Sequence, residues 1–363
     1  MKKSKILVLL MVLTMAAFVF AGCASEEPAA EEPAAEEAAT GETTTENALL
    51  AEAEADMLEQ MGQLPEAGNG EKIGAVAFSM TNEFWVTVSE GYEAAAEEYG
   101  VTVDVVAAEN EADEQSQYDA MMNLLSQDYD ALAISAMTGT NLVPAVAEAN
   151  KQGLTVVAVG TSLDEAAAEE AGASVAAFVN CDFYGQGYDG ATWIMEQLGD
   201  EAEGAEVAVI AGQAGAANAE LRKSGAEDAF NEAGANVVLT EYADWDRQKA
   251  YDMTTNLIQA HPEIRGIMCG NDDMALGCVE ALKAADMLDQ VKVVGTDFIE
   301  EAKESIKNGE LSGTVVMSPY LFGKAGLILA LQAIQGIEIT VDELDTPYGF
   351  VTQENVDQYE GWK

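Results

Sequence analysis

The 363-residue chain has a single histidine, His261, and only four cysteines, four tryptophans and seven prolines. One histidine leaves no room for a multi-histidine metal site and little for a histidine-based catalytic triad. Basic residues are also scarce: 16 Lys and Arg stand against 65 Asp and Glu, giving a formal charge of −49. A nucleic-acid binder needs the opposite sign to neutralise phosphates, so the composition speaks against that class. Apolar residues, by contrast, make up 49% of the chain, which supplies a sizeable core and excludes disorder throughout. The length provides for two domains.

Lys2, Lys3 and Lys5 precede fifteen apolar or small residues at 6–20. That run falls short of the about 20 residues a membrane span needs and suits the hydrophobic segment of a signal peptide. It ends Phe20-Ala21-Gly22-Cys23, which resembles the lipobox of bacterial lipoproteins, with Phe20 where that pattern usually has leucine. The resemblance implies that residues 1–23 are a lipoprotein signal with its lipobox, and that Cys23 becomes the lipid-modified N-terminus. An ordinary secretory signal is the alternative. Either way the mature chain works outside the cytoplasm, lipid-anchored to the outer face of the membrane in the first case. Residues 24–71 carry fourteen carboxylates and no Lys or Arg, in repeats such as EEPAAEEPAAEEAATGE. Such a segment is expected to be a disordered acidic tether, since its charges repel and little apolar surface can be buried. Within it, 47–61 could form a short helix, but nothing there specifies a partner. Loss of the signal's three lysines leaves −52, of which −38 belongs to residues 72–363. The domain beyond the tether is therefore acidic too.

From Lys72 onward short β-type runs alternate with helical stretches. Strands are expected at 73–78, 101–107, 131–135, 155–159, 173–179, 207–211, 237–242, 266–269, 291–295 and 313–317. Helical periodicity occupies most of the gaps, for instance 83–99, 114–127 and 247–260. Strands that are nearly all apolar are buried on both faces, as in a parallel sheet covered by helices. The alternation predicts an α/β architecture of two doubly wound, Rossmann-like lobes. In such sheets ligands sit at the carboxyl ends of strands. There the chain carries 79–85, 160–162, 180–182, 212–218, 243–246, 270–273 and 296–297. Amides, carboxylates, Arg222 and the aromatics Phe84, Trp85 and Trp245 are the parts of a polyhydroxyl-binding cleft. Hydroxyls need polar partners, aromatic rings stack on C–H faces, and polar groups left unpaired reject ligands that lack a hydroxyl.

The segments ADWDRQK (243–249), AHPEI (260–264), NDDMALGCVEAL (271–282) and VKVVGTDF (291–298) resemble the ribose/galactose-type solute-binding proteins of ABC transporters. So do the opening IGAVAFSMTNEFW (73–85) and the ending VTQENVDQY (351–359). The resemblance covers residue 72 to the C-terminus. It implies two lobes, 72–180 plus 318–346 and 181–317 plus 347–363, joined by a three-strand hinge with crossings near Asn180, Met317 and Thr346. It further implies that Asn82 bonds ligand hydroxyls, that Phe84, Trp85 and Trp245 stack on the sugar, and that Arg222, Asn271 and Asp297 are second-lobe ligand contacts. Thr161, Asn180 and Met317 stand at further ligand positions but depart from the pattern. Gly160-Thr161 replaces Asp-Arg, Asn180 replaces serine, Met317 replaces glutamine and Thr296 replaces an aromatic. D-ribose is therefore an unexpected ligand, and a different pentose, hexose or polyol is implied, or else a nucleoside or furanosyl signalling molecule. A monomer that delivers its sugar to ABC permease subunits, without a cofactor, follows from the same likeness. A sensory module for a chemoreceptor or kinase is the other class. The acidic domain disfavours anionic ligands such as sugar phosphates, because Arg222 alone is placed to receive one.

Other features read as structural. Gly185–Gly190 spells GxGxxG, but it does not directly follow a strand and Glu206 opens the next strand rather than closing it. Its glycines are expected to let a helix pack closely at the hinge. Asp246 and Asn271 stand where helices begin and can cap them; for Asn271, contact with ligand competes with capping. Asp272 is expected as a cap or helix-dipole partner. Cys181, Cys269 and Cys278 match no zinc spacing and are expected to be small buried residues. No paired carboxylates have calcium-loop spacing, and no nucleophile–base pair suggests an enzyme.

Overall fold

The computed structural model describes residues 47–363; the signal segment, Cys23 and the tether up to residue 46 lie outside them. In chain order the first part comprises α1 (Ala48–Gln60), β1 (Lys72–Ser79), α2 (Glu83–Tyr99), β2 (Thr102–Ala108), α3 (Glu114–Leu125), β3 (Ala131–Ile134), α4 (Val143–Lys151), β4 (Thr155–Val159), α5 (Glu165–Ala171) and β5 (Phe178–Asn180). The second part comprises α6 (Phe183–Leu198), β6 (Glu206–Ala211), α7 (Ala217–Glu232), β7 (Asn236–Tyr242), α8 (Arg247–Ala260), β8 (Ile264–Cys269), α9 (Asp272–Ala284), β9 (Lys292–Thr296), α10 (Glu300–Lys307) and β10 (Gly313–Met317). The chain then returns through α11 (Pro319–Ile334), β11 (Glu343–Asp345) and β12 (Tyr348–Val351).

These strands form two six-stranded sheets, ordered β11-β5-β4-β3-β1-β2 and β12-β10-β9-β8-β6-β7. All pairings are parallel except β10 with β12. Each sheet is apolar on both faces. In β1, Ile73, Ala75 and Ala77 enter one core while Val76 enters the core on the opposite face. In β6, Ala208 and Ile210 face one way, Val207 and Val209 the other. This is the two-lobed, doubly wound α/β architecture that the run of apolar strands predicts.

The chain crosses between the sheets three times, at 180–183, 317–319 and 345–348. The first and third crossings are tied together: Thr346 donates to the Asn180 carbonyl from both N–H and Oγ1, each at 2.9 Å. The C-terminal residues add a link of their own. Trp362 Nε1 donates to the Met317 carbonyl at 3.1 Å, Lys363 pairs with Glu90 on α2, and Glu360 pairs with Lys303 on α10.

Two expectations need correction. The acidic segment does not remain an unordered tether up to residue 71, because α1 forms from Ala48. Asn47 Oδ1 caps it by accepting from Leu49 and Leu50 N–H at 2.8 and 3.1 Å. Ala53, Met57 and Met61, four residues apart, are buried against α11 and the first-lobe core, while Glu52, Asp56 and Glu59 face solvent. Lys324 of α11 pairs with Glu54 at 2.6 Å, and Gln332 Nε2 donates to the carbonyls of Met61 and Gln63. The strand expected at 173–179 is reduced to Phe178–Asn180. The chain leaves α5 through left-handed Gly172, and 173–177 reach the sheet by isolated bonds such as Ala176 N–H to Val156 O.

Close helix packing sets the geometry of the cleft. A Cβ on Gly187 of α6 would overlap the Arg222 carbonyl of α7, and one on Gly225 would overlap the Tyr184 carbonyl of α6. The glycine-rich run therefore lies within a helix, as expected, and brings α7 with Arg222 against the hinge. The three cysteines are buried and unpaired. Burial pushes the Cys181 thiol up to about 11, so it stays protonated and unreactive.

Candidate functional site

Between the lobes, at the carboxyl ends of the strands, lies a small cavity lined by residues of both lobes. The first lobe lines it with Phe78 of β1, Asn82, Phe84 and Trp85 at the start of α2, Glu111 after β2, Gly160 after β4 and Phe322 of α11. The second lobe supplies Phe183 of α6, Asn218 and Arg222 of α7, Trp245 after β7, Asn271 after β8 and Asp297 after β9. The lobes meet around it. Gly139 N–H donates to the Gly215 carbonyl at 3.4 Å, and Glu300 N–H donates to the Glu83 carboxylate at 3.2 and 3.3 Å.

Seven of the ten residues expected from sequence line this cavity: Asn82, Phe84, Trp85, Arg222, Trp245, Asn271 and Asp297. The other three do not. Thr161 is buried and donates Oγ1 to the Ala136 carbonyl at 2.7 Å. Asn180 turns outward at the hinge and donates to Asp345 Oδ1 at 3.2 Å. Met317 sits behind Arg222, its sulfur facing the Gln186 amide and the guanidinium at 3.5 and 3.8 Å.

Arg222 is fully buried and fixed from three sides. Its Nε donates to Gln186 Oε1 at 2.7 Å, one terminal nitrogen donates to the Gly270 carbonyl at 2.9 Å, and its plane lies 5.1 Å from the Phe183 ring. Asp297 brings a carboxyl to the same cavity. Burial raises its carboxyl well above the ordinary value, Arg222 opposes that shift, and Asp272, Glu111 and Asp273 add to it. Asp272 does not cap α9 but stands in its first turn, where the helix-dipole alternative placed it. It lies beneath the site, accepting from Ile299 N–H at 3.0 Å and Thr314 Oγ1 at 2.6 Å, which pins the loop that presents Asp297. Asn271 does cap α9, its Oδ1 accepting from Met274 N–H at 2.9 Å. Capping therefore leaves its Nδ2 as a donor at the cavity wall.

The aromatic walls are assembled by stacking. Trp85 lies on Phe78 at 4.3 Å between centroids, and Phe84 stands edge-on to Trp85 and to Phe322. Across the cavity the Trp245 ring covers Gly212, where any Cβ would enter the indole.

Sequence reasoning missed Glu111, Asn218 and the aromatics Phe78, Phe183 and Phe322. Glu111 lies in the loop after β2. Its Oε1 accepts from Trp85 Nε1 at 2.9 Å and Asn82 Nδ2 at 3.2 Å, and its Oε2 accepts from the same amide at 3.3 Å. Burial pushes its carboxyl up to about 7 against the pull of those two donors, with Asp273 adding to the rise. Glu111 lies in the short polar run 109–113, between the strand expected at 101–107 and the helix expected at 114–127, and reads from sequence as ordinary loop. Asn218 stands in the 212–218 segment already marked as a strand end.

The comparisons agree with this geometry. The family model described as "Periplasmic binding protein domain" matches residues 73–338. The D-allose-binding periplasmic protein of Escherichia coli K12 is 40% identical over 263 residues, covering 72% of this chain and 84% of that protein. The ribose import binding protein of Bacillus subtilis is 32% identical over 267 residues, covering 74% and 83%. Among solved structures, an ABC transporter periplasmic solute-binding protein of Actinobacillus succinogenes with bound D-allose superposes with a TM-score of 0.73. It is 29% identical, and the match covers 80% of this chain and all of that one. Together with the two-lobed fold and its interlobe cavity, these matches show that the chain belongs to the periplasmic binding protein family of ABC-transporter solute-binding proteins.

Proposed function

We propose that this protein captures a neutral sugar or polyol between its lobes and delivers it to the membrane subunits of an ABC importer, acting as a monomer anchored through Cys23. The observation that carries this reading is the cavity itself. The second lobe brings the donors Arg222, Asn271 and Asn218 and the acceptor Asp297, and the first lobe the acceptor Glu111, between aromatic walls made by Trp85, Phe84 and Trp245. A ligand bound there bridges the lobes, so binding and closure are one equilibrium. The relatives support the ligand class: one solved neighbour holds D-allose and another, from Bacillus halodurans, holds myo-inositol. A cavity with two carboxylates and one guanidinium disfavours sugar phosphates.

The test is a thermal-shift screen of the full chain against aldoses, polyols and nucleosides, followed by calorimetry. A ligand at 100 times its Kd adds about 2.7 kcal/mol of stability. If no sugar or polyol shifts the midpoint while a nucleoside does, the ligand class is wrong. Asp297→Asn should abolish the shift. Sugar uptake lost in a deletion strain distinguishes import from a sensory role. Fatty-acid labelling that disappears in Cys23→Ala tests the anchor.

A further inference from the structure

Within the sugar-binding reading, we propose that Glu111 is a specificity-determining ligand contact, whose carboxylate accepts a hydrogen bond from one hydroxyl of the captured polyol on the first-lobe side. Asn82, the residue expected to read hydroxyls there, is already engaged at both ends. Its Oδ1 accepts from Phe84 N–H at 2.8 Å to cap α2, and its Nδ2 donates to Glu111. Gly160 supplies no polar side chain after β4, and the Thr161 hydroxyl points away to Ala136. Glu111 is thus the one charged side chain that the first lobe brings to this cavity among the described residues.

Its carboxylate has acceptor capacity to spare. An ionised carboxylate offers about four lone-pair sites. Oε1 takes two donors, while Oε2 has only the longer contact with an amide already shared with Oε1. The loop that carries it is held on both sides, by Asn110 Oδ1 accepting from Ala112 N–H at 3.0 Å and by Asp113 capping α3 through Ser116 N–H at 2.9 Å. The group is therefore fixed in place with an unfilled acceptor site, across the cavity from Asp297. A ligand that satisfies both walls must present donors at both ends, which a polyol does.

The alternative is that Glu111 merely holds Trp85 and Asn82 in position, and binding data separate the two roles. The full chain and its Glu111→Gln variant are titrated calorimetrically with the sugar that gives the largest thermal shift and with each of its monodeoxy analogues. Glutamine can keep an oxygen toward Trp85 but then turns an NH2 toward the cavity. It should weaken the parent sugar about tenfold or more, in keeping with loss of a hydrogen bond to a charged group. For one deoxy analogue that penalty should vanish, because the hydroxyl it depends on is already gone. Glu111→Asp, which keeps the charge but withdraws it, should show the same position-specific pattern and substitutes if the glutamine variant does not fold. A penalty equal for every analogue, or no penalty, overturns the contact and leaves the sugar reading intact. A wild-type chain that responds to no sugar or polyol overturns the sugar reading, and this proposal with it.

Discussion

Glu83 supplies a cap to a helix in the other lobe. Helix α10 has no side-chain cap of its own at Ile299. Instead its Glu300 N–H donates to the Glu83 carboxylate of α2 at 3.2 and 3.3 Å. Glu83 does not line the ligand cavity, so its removal acts on closure rather than on ligand contact. A side-chain N-cap stabilises a helix by about 0.5–2 kcal/mol, and a carboxylate at an exposed helix N-terminus by about 0.3–1 kcal/mol. The contact is long and solvent-exposed, and the two ranges overlap at about 0.5–1 kcal/mol, or about two- to fivefold in an equilibrium constant. The contact exists only when the lobes are together, so Glu83→Ala should raise the Kd for the captured sugar about two- to fivefold. The change should fall on the dissociation rate, because the encounter with the open cleft is untouched. Glu83→Gln keeps an acceptor without the charge and should fall between. Stopped-flow binding and calorimetry read both quantities, and added salt should narrow the gap between wild type and Glu83→Ala. An unchanged Kd, or a loss confined to the association rate, would refute the latch.

Two further outcomes follow from burial. Met57→Ala should destabilise the domain by about 2–5 kcal/mol, as buried Met-to-Ala changes do, since Met57 is 0% exposed in the first-lobe core; a thermal midpoint unchanged from wild type would show that α1 is not part of the folded domain. Glu111 and Asp272 have carboxyls raised to about 7 in the folded state, above their unfolded values of about 4. Their contribution to stability is therefore full below about pH 4 and is lost as pH rises through about 7. The raised carboxyls of Asp273 and Asp297 beside them act in the same direction. The midpoint of the ligand-free chain should accordingly fall as pH rises from about 4 to about 7, more steeply than in Asp272→Asn, and a flat wild-type profile across that window would contradict it.

Legibility in the sequence depended on whether a residue's role is local. Continuous apolar runs such as those of β3 and β8 announce strands covered on both faces, and positions just after strand ends locate Trp245, Asn271 and Asp297. Residues whose role is set by tertiary partners were harder. Residues 47–61 could be read as a short helix, but they lie within an acidic segment of fourteen carboxylates and nothing in their composition specifies a partner; the pattern Ala53, Met57, Met61 at four-residue spacing carries the buried face. Thr161 follows a strand end as a site residue should, but its hydroxyl has a nearer acceptor in Ala136. Glu111 is invisible for the opposite reason: only the fold brings the loop after β2 against Trp85. The short strands β11 and β12 are set by pairing at the hinge rather than by their own mixed composition.

The two walls of the cavity are built differently, and this bears on how the protein closes. Of the five non-glycine residues with positive φ among the described residues, four form two pairs in second-lobe loops: Asp244 and Trp245 at 52° and 61°, Asp297 and Phe298 at 117° and 64°. Such conformations cost on the order of 1–3 kcal/mol each and persist only where the surroundings over-determine them. Here they are over-determined. Asp244 N–H bonds the Gly212 carbonyl at 3.0 Å, Lys249 pairs with its carboxylate at 2.7 Å, and Gly212 leaves room for the indole of Trp245. Asp297 N–H bonds the Val315 carbonyl at 2.9 Å, while buried Asp272 holds the residue after Phe298. The first-lobe wall, by contrast, rests largely on the regular first turn of α2. Trp245 and Asp297 are thus aimed by strained loops locked within the second lobe, before any contact with the first. A closing motion would then carry a finished half-site onto the ligand, and the adjustment it requires would fall on the three crossings.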